Sequence, residues 1–240
     1  MRIKLKILDI KNLQYMLNRS KSEEFPISIQ YADFNVLNHL YEGTYDENKL
    51  NNLVLYPDSS AVHIYMNYFL KNKIKKTIST DLQNSLLNEI NENGNSIFLL
   101  GDSNFILKKT IKNINNKYTN INIKGFSNGY NFITNEVITK INELNIDVLF
   151  VGLGVGQQEK WLLENYKKLN VKIVMNVGGW FQYLSENKKR APLFIRKIHL
   201  EWLHKLIIEF PRVWKRYIVG IPKFYIRVIT KKIELNLEYK

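Results

Sequence analysis

Asp147-Val148-Leu149-Phe150-Val151-Gly152-Leu153-Gly154-Val155-Gly156-Gln157-Gln158-Glu159-Lys160-Trp161 reads as a strand, a glycine turn and the opening of a helix. The run 148–151 is continuously apolar rather than alternating, as a strand covered on both faces requires. Glycine at 152, 154 and 156 lets backbone amides approach a ligand closely, and the N-terminus of the following helix favours phosphate. The spacing is G-x-G-x-G. It departs from the dinucleotide fingerprint, so the turn points to phosphate or sugar rather than to NAD.

The same alternation continues on both sides. Short β-rich runs at 26–31, 53–56, 96–100, 121–125 and 171–177 are separated by amphipathic stretches at 33–40, 60–70, 81–93, 104–118, 134–144 and 157–169. Met1-Arg2-Ile3-Lys4-Leu5-Lys6-Ile7-Leu8-Asp9 alternates apolar with charged residues and reads as a strand; it lacks the apolar block of a signal peptide. Strands spaced by helices predict an α/β fold, a Rossmann-like, mostly parallel sheet with helices on both faces. After about residue 186 the composition changes. Aromatic, aliphatic and basic residues recur, and Pro192, Pro211 and Pro222 break the segment into short helices. The expected organisation is a catalytic-type domain over 1–193 and a basic, aromatic-rich helical appendage over 194–240.

The 240 residues are 45% hydrophobic and 24% charged, enough for a sizeable core. Cysteine is absent and histidine occurs four times, so no disulfide framework or thiolate metal site can form. The formal charge of +13 is uneven: residues 188–240 carry +10 and the first 187 carry +3. A near-neutral body with a basic tail calls for an anionic partner: phospholipid, nucleic acid or a polyphosphate substrate. The many Ile, Leu and Val residues among the tail aromatics favour a membrane interface over base stacking. No apolar stretch reaches the roughly 20 residues that span a bilayer. The expected location is therefore cytoplasmic and peripheral, on the inner face of the cell membrane; self-association is left open.

Ligands of such sheets bind at the carboxyl ends of strands. Those ends carry Asp58, Gly101-Asp102-Ser103, Gly125 through Gly129-Tyr130, Gly152 to Glu159, and Gly178-Gly179-Trp180-Phe181. Asp58 sits between a strand and a helix. The residues alone favour an N-cap there, in competition with a carboxylate that takes a proton from an acceptor hydroxyl. Asp102-Ser103 reads as another helix cap. His39, His63, His199 and His204 are scattered and read as structural or surface residues. No Asp-x-Asp occurs, so a metal-bridged diphosphate site of that type is unsupported. No serine–histidine spacing supports a hydrolase triad.

The ordered pieces Phe98-Leu99-Leu100-Gly101, Gly125 to Tyr130, Asp147 to Gly154, Gln158-Glu159-Lys160-Trp161, Val177-Gly178-Gly179-Trp180-Phe181, Lys189-Arg190-Ala191-Pro192, Glu201-Trp202-Leu203 and Pro211-Arg212 resemble the WecG/TagA/CpsF glycosyltransferases. Tyr56-Pro57-Asp58 matches more weakly. The resemblance implies an inverting, metal-independent transfer, with no cofactor, from a UDP sugar to a sugar on a polyprenyl diphosphate, in cell-surface polysaccharide synthesis. It implies Asp58 as the base. Donor and diphosphate contacts fall to Lys76, Gly101, Gly129, Tyr130, Gly152, Gly154, Gln158, Glu159, Gly178, Arg190, Arg212 and Arg216. It also implies an appendage that holds the enzyme to an anionic membrane and lends arginines to the site, with no nucleic acid as partner.

This chain departs from the family pattern at several points. It has Asp58-Ser59 for Asp-Gly and Ile29-Gln30-Tyr31-Ala32 for Thr-x-Asn-Ala. It has Phe181-Gln182 for Phe-Asp, and Lys76 and Lys205 stand for arginines. Lysine keeps the charge and loses the two-pronged geometry. The donor is thus a hexose or an N-acetylhexosamine, N-acetylmannosamine being the family's best-known case. The competing reading is a non-catalytic lipid- or nucleic-acid-binding module on the same fold.

Overall fold

The structure, a computed structural model, describes residues 1–6, 15–18, 24–43, 50, 53–74, 79–198 and 200–238. Eight strands form one sheet: β1 (Arg2–Lys6), β2 (Ile27–Ala32), β3 (Leu53–Pro57), β4 (Ser96–Gly101), β5 (Asn122–Ser127), β6 (Ile146–Gly152), β7 (Val171–Asn176) and β8 (Glu234–Glu238). Their order is β5-β4-β6-β7-β2-β3-β1-β8, and every registered pair is parallel. The central strands have the composition this demands. All six residues of β4 are buried, and Val148 to Val151 of β6 lie in the core.

The helices are α1 (Phe34–Glu42), α2 (Ser60–Ile64), α3 (Ser79–Glu92), α4 (Asn104–Lys117), α5 (Thr134–Glu143), α6 (Gln157–Asn165), α7 (Trp180–Leu184), α8 (Leu193–Lys197), α9 (Glu201–Ile208), α10 (Phe210–Trp214) and α11 (Gly220–Ile229). The expected single helix at 60–70 is α2 followed by a π-helical turn, Tyr65–Phe69. A second π-helical turn, Lys215–Val219, joins α10 to α11. Right-handed crossovers fix the layers. Links running from β2 to β3, β5 to β6 and β6 to β7 place α1, α5 and α6 on one face. Links running the other way, from β3 to β4 and β4 to β5, place α2, α3 and α4 on the opposite face.

The appendage is helical over α8 to α11 but ends in β8, which the sequence reading does not anticipate. β8 pairs in register with β1, Leu5 opposite Leu237. The helix α11 docks on α1 through a polar ladder. Asn38 donates to the Gly220 carbonyl at 2.8 Å, and Arg227 donates to Asn38 Oδ1 at 2.8 Å and to Glu42 at 2.7 Å. The Arg227 guanidinium also lies 4.5 Å from the Tyr41 ring centroid. Beneath the ladder, Phe224 is fully buried and meets Tyr65 edge-on, with centroids 6.1 Å apart.

Because Phe224 and β8 share the core of the body, Phe224→Ala should cost about 3–5 kcal/mol. Urea unfolding should then show one transition at a lower midpoint, rather than early melting of the appendage followed by an unchanged body.

Candidate active site

β2 and β3 are neighbours whose chain exits run to opposite faces of the sheet, β2 into α1 and β3 into α2. Such a divergence opens a crevice at the carboxyl ends of the strands. A cavity of about 430 Å³ occupies it, floored by the ends of β2, β3 and β7 and roofed by α9, the second π-helical turn and α11. Asp33 and Asp58 line it from the sheet side, and Lys205, Arg216 and Tyr217 from the roof. Trp202 adds a partly exposed aromatic ring to the lining, while the Trp180 ring is buried and donates to Ser79 Oγ at 2.8 Å.

Asp58 is not the helix cap that its neighbours in sequence favour. Ser59 takes that position, its side chain accepting from the Val62 amide at 3.5 Å. Asp58 instead points into the cavity wall and accepts from the Ser79 amide at 3.0 Å, while its own amide donates to the Ala32 carbonyl at 3.1 Å. Burial pushes its carboxyl up to about 7, and the charge of Asp33 adds to the effect. The Ser79 and Ser59 amides and Arg216 pull the other way. A carboxyl poised there can accept a proton near neutral pH. Ser59, where the sequence resemblance leads one to expect glycine, has φ 68° and ψ 153°, a conformation that suits glycine.

Asp33 caps α1, its side chain accepting from the Val36 amide at 2.7 Å, and its other oxygen accepts from the Arg216 guanidinium. Arg216 lies against the rings of Phe34 and Tyr217, 5.8 and 5.5 Å from their centroids. Its Nε is buried and has no hydrogen-bond partner among the described residues. Lys205 is pushed down to about 8, first by burial and then by Arg216, Arg212 and Lys188. This crowding of like charges is relieved by an anion.

Gln158 and Glu159 lie behind this wall. Gln158 is fully buried, donates to the Tyr31 hydroxyl at 3.1 Å and to Glu159 at 2.7 Å, and accepts from the Gly178 amide at 3.2 Å. Glu159 accepts from the Gly156 amide and is pushed up to about 7, mainly by burial. Tyr31 separates this network from the cavity that it lines.

Of the residues singled out in the sequence, Asp58 and Arg216 line the cavity. Gln158, Glu159 and Gly178 support it from behind. Arg190 braces the roof through Asp81 at 2.9 Å and Glu201 at 3.3 Å. Arg212 is largely exposed and pairs with Glu209. Gly101, Gly129 and Gly152 stand at neighbouring strand ends, where backbone packs on backbone: a Cβ on Gly101 would meet the Gly152 carbonyl at 2.4 Å. Gly154 faces open space, and Tyr130 is exposed. Lys76 lies outside the described residues.

Sequence reasoning passed over Asp33, His204 and the cavity-facing role of Lys205. Glu201, Trp202, Lys205, Ile208 and Glu209 recur at helical spacing and all line the cavity, a pattern legible as one functional face of α9. Asp33 gave no such signal, because an aspartate before a helix is already explained as its cap.

A family model described as "Glycosyl transferase WecG/TagA/CpsF family" matches residues 5–237. The chain is 35% identical over 184 residues to an N-acetylglucosaminyldiphosphoundecaprenol N-acetyl-beta-D-mannosaminyltransferase of Bacillus subtilis strain 168, covering 76% of this chain and 70% of that protein. Proteins of the same name match from Bacillus spizizenii, at 32% over 72% of this chain and 66% of that protein, and from Staphylococcus aureus strain MRSA252, at 29% over 65% and 61%.

Two stability measurements follow from Asp58 and its neighbour. Ser59→Gly should be neutral to about 1 kcal/mol stabilising in denaturant melts, since relief of the backbone offsets the weaker cap. The folded-state pKa of Asp58 is raised, so the native protein holds the proton longer and loses stability as pH rises from about 4 to about 7. Asp58→Asn should flatten that slope and gain on the order of 2–4 kcal/mol at pH 8.

Proposed function

Because the chain belongs to the WecG/TagA/CpsF family of glycosyl transferases, we propose that it transfers a hexose or N-acetylhexosamine from a UDP sugar to a sugar on a polyprenyl diphosphate, in cell-surface polysaccharide synthesis. The names of the relatives support the lipid-diphosphate acceptor, and the N-acetylmannosaminyl donor is the first to test. The observation that carries the reading is Asp58, buried at the sheet edge and facing a cationic roof.

In this mechanism the acceptor hydroxyl gives its proton to Asp58 as its oxygen attacks C1 of the donor sugar. The bond from C1 to the nucleoside diphosphate breaks on the opposite side, inverting the configuration. The charge developing on the leaving diphosphate is met by Arg216 and Lys205, which this reading places in the role a metal ion plays elsewhere. The roof excludes water, the competing acceptor. Gln158 acts through Tyr31, whose phenol forms the wall where the family pattern has asparagine.

The apolar side chains Phe194, Ile198, Ile207, Ile208 and Phe210 are exposed on the appendage helices, among its basic residues. They support peripheral attachment to an anionic membrane, with the cavity facing the lipid-linked acceptor. No helix among the described residues is long and apolar enough to cross a membrane. The boundary at 193/194 serves as the start of this membrane-facing appendage.

The test is nucleotide release over a panel of UDP sugars, with N-acetylglucosamine on a short polyprenyl diphosphate as acceptor, in the presence and absence of a chelator. Release dependent on acceptor supports the reading. Flotation with anionic liposomes but no turnover on any donor would favour the binding-module alternative. Asp58→Asn should lower turnover by about 10²–10⁴-fold with little change in donor binding.

A further inference from the structure

The two carboxylates at the crevice are placed alike and partnered differently. β2 and β3 pair with Ala32 opposite Pro57, so Asp33 and Asp58 leave adjacent strands one residue later, on backbones about 5 Å apart. Both oxygens of Asp33 are engaged, one by the Val36 amide and one by Arg216, and its side chain is almost entirely enclosed. Asp58 holds the Ser79 amide and has no ion pair among the described residues. One carboxylate is thus engaged on both oxygens and the other is bound through a backbone amide.

We propose that Asp33 is a positioning residue for the transfer, acting on the reaction through the two groups beside it, Arg216 and Asp58. The proposal rests on the reading of Asp58 as the base. Asp33 joins three parts that arrive separately in the chain: the start of α1, the end of β3 and the roof of the appendage, the last 183 residues away. It holds the Arg216 guanidinium in the lining of the cavity. Its negative charge opposes ionisation of Asp58, and the positive charge of Arg216 favours it. The pair therefore sets how readily Asp58 takes a proton, while neither member receives it. The other charged and titratable groups around the cavity are Lys205, His204 and Tyr217 on the roof, with Lys189, Glu201, Glu209, Tyr183 and Tyr225 further along the wall, the phenol of Tyr31 on β2 and that of Tyr56, two residues before Asp58. All remain in place when Asp33 or Arg216 is replaced.

The experiment is the pH profile of kcat/KM for wild type, Asp33→Asn, Arg216→Gln and Arg216→Lys. It uses the UDP sugar selected by the release screen and N-acetylglucosamine on a short polyprenyl diphosphate. Asp33→Asn keeps an oxygen for the α1 cap and removes the charge. Its low-pH limb should move down by about one unit. Arg216→Gln removes the cation and should move the limb up, and Arg216→Lys should return it to the wild-type position. A purely structural role for the pair would lower rates without moving the limb in opposite directions.

Asp58→Asn is run alongside. If it keeps full turnover, the base assignment and this proposal both fall. If it is inactive while the limb stays in place in Asp33→Asn and Arg216→Gln, the role of Asp33 alone falls. Should Asp33→Asn fail to fold by circular dichroism, the Arg216 variants decide: an upward shift restored by lysine supports the proposal, and an unmoved limb overturns it.

Discussion

Parallel pairing of all eight strands is the constraint from which the rest follows. A parallel pair cannot be closed by a tight turn, so the chain must cross back over the sheet after each strand. Every strand then ends on the same edge, and every loop leaving a carboxyl end is delivered there. Where neighbouring exits part to opposite faces, the edge opens. At β2 and β3 both exits begin with aspartate, so the topology alone sets two carboxylates side by side, and burial makes their proximity costly unless a cation answers it. Arg216 is that answer, supplied from the far end of the sequence.

This origin explains what the sequence reveals and what it hides. The interior strands β3, β4, β6 and β7 are legible as runs of Ile, Val, Leu and Phe because central parallel strands are buried on both faces, whereas β5 lies at the sheet edge with no buried residue. The helices between them are legible through their apolar stripes. β8 was missed although Ile233, Leu235 and Leu237 alternate with polar residues, the period of a half-covered edge strand. The basic residues around it drew the reading toward a helical tail. Asp58 emerged through family resemblance, whereas its residue context favoured a cap that Ser59 performs instead. Asp33 was hidden because its local duty is real: it does cap α1, and only a partner 183 residues away gives it a second one.

One helix, α1, carries a row of polar contacts to the appendage. Asp33 at the start of α1, then Asn38 and Glu42 along it, meet Arg216, Gly220 and Arg227 in order. The π-helical turn at Lys215–Val219 sits between the first contact and the second, and within it Arg216 and Tyr217, consecutive in sequence, both face the cavity. Irregular turns of this kind recur at functional sites. The same docking leaves Phe194, Ile198, Ile207 and Phe210 of the appendage exposed.

The pairing of β1 with β8 has a consequence for biosynthesis. The amino group of Met1 donates to the Lys232 carbonyl at 3.0 Å, and the two strands run in register for five residues. During synthesis β1 keeps one edge bare until β8 follows it, and parallel partners so far apart in sequence find each other slowly. A chain interrupted between them lacks the partner of β1, and one interrupted before α9 lacks the roof over Asp33 and Asp58 as well.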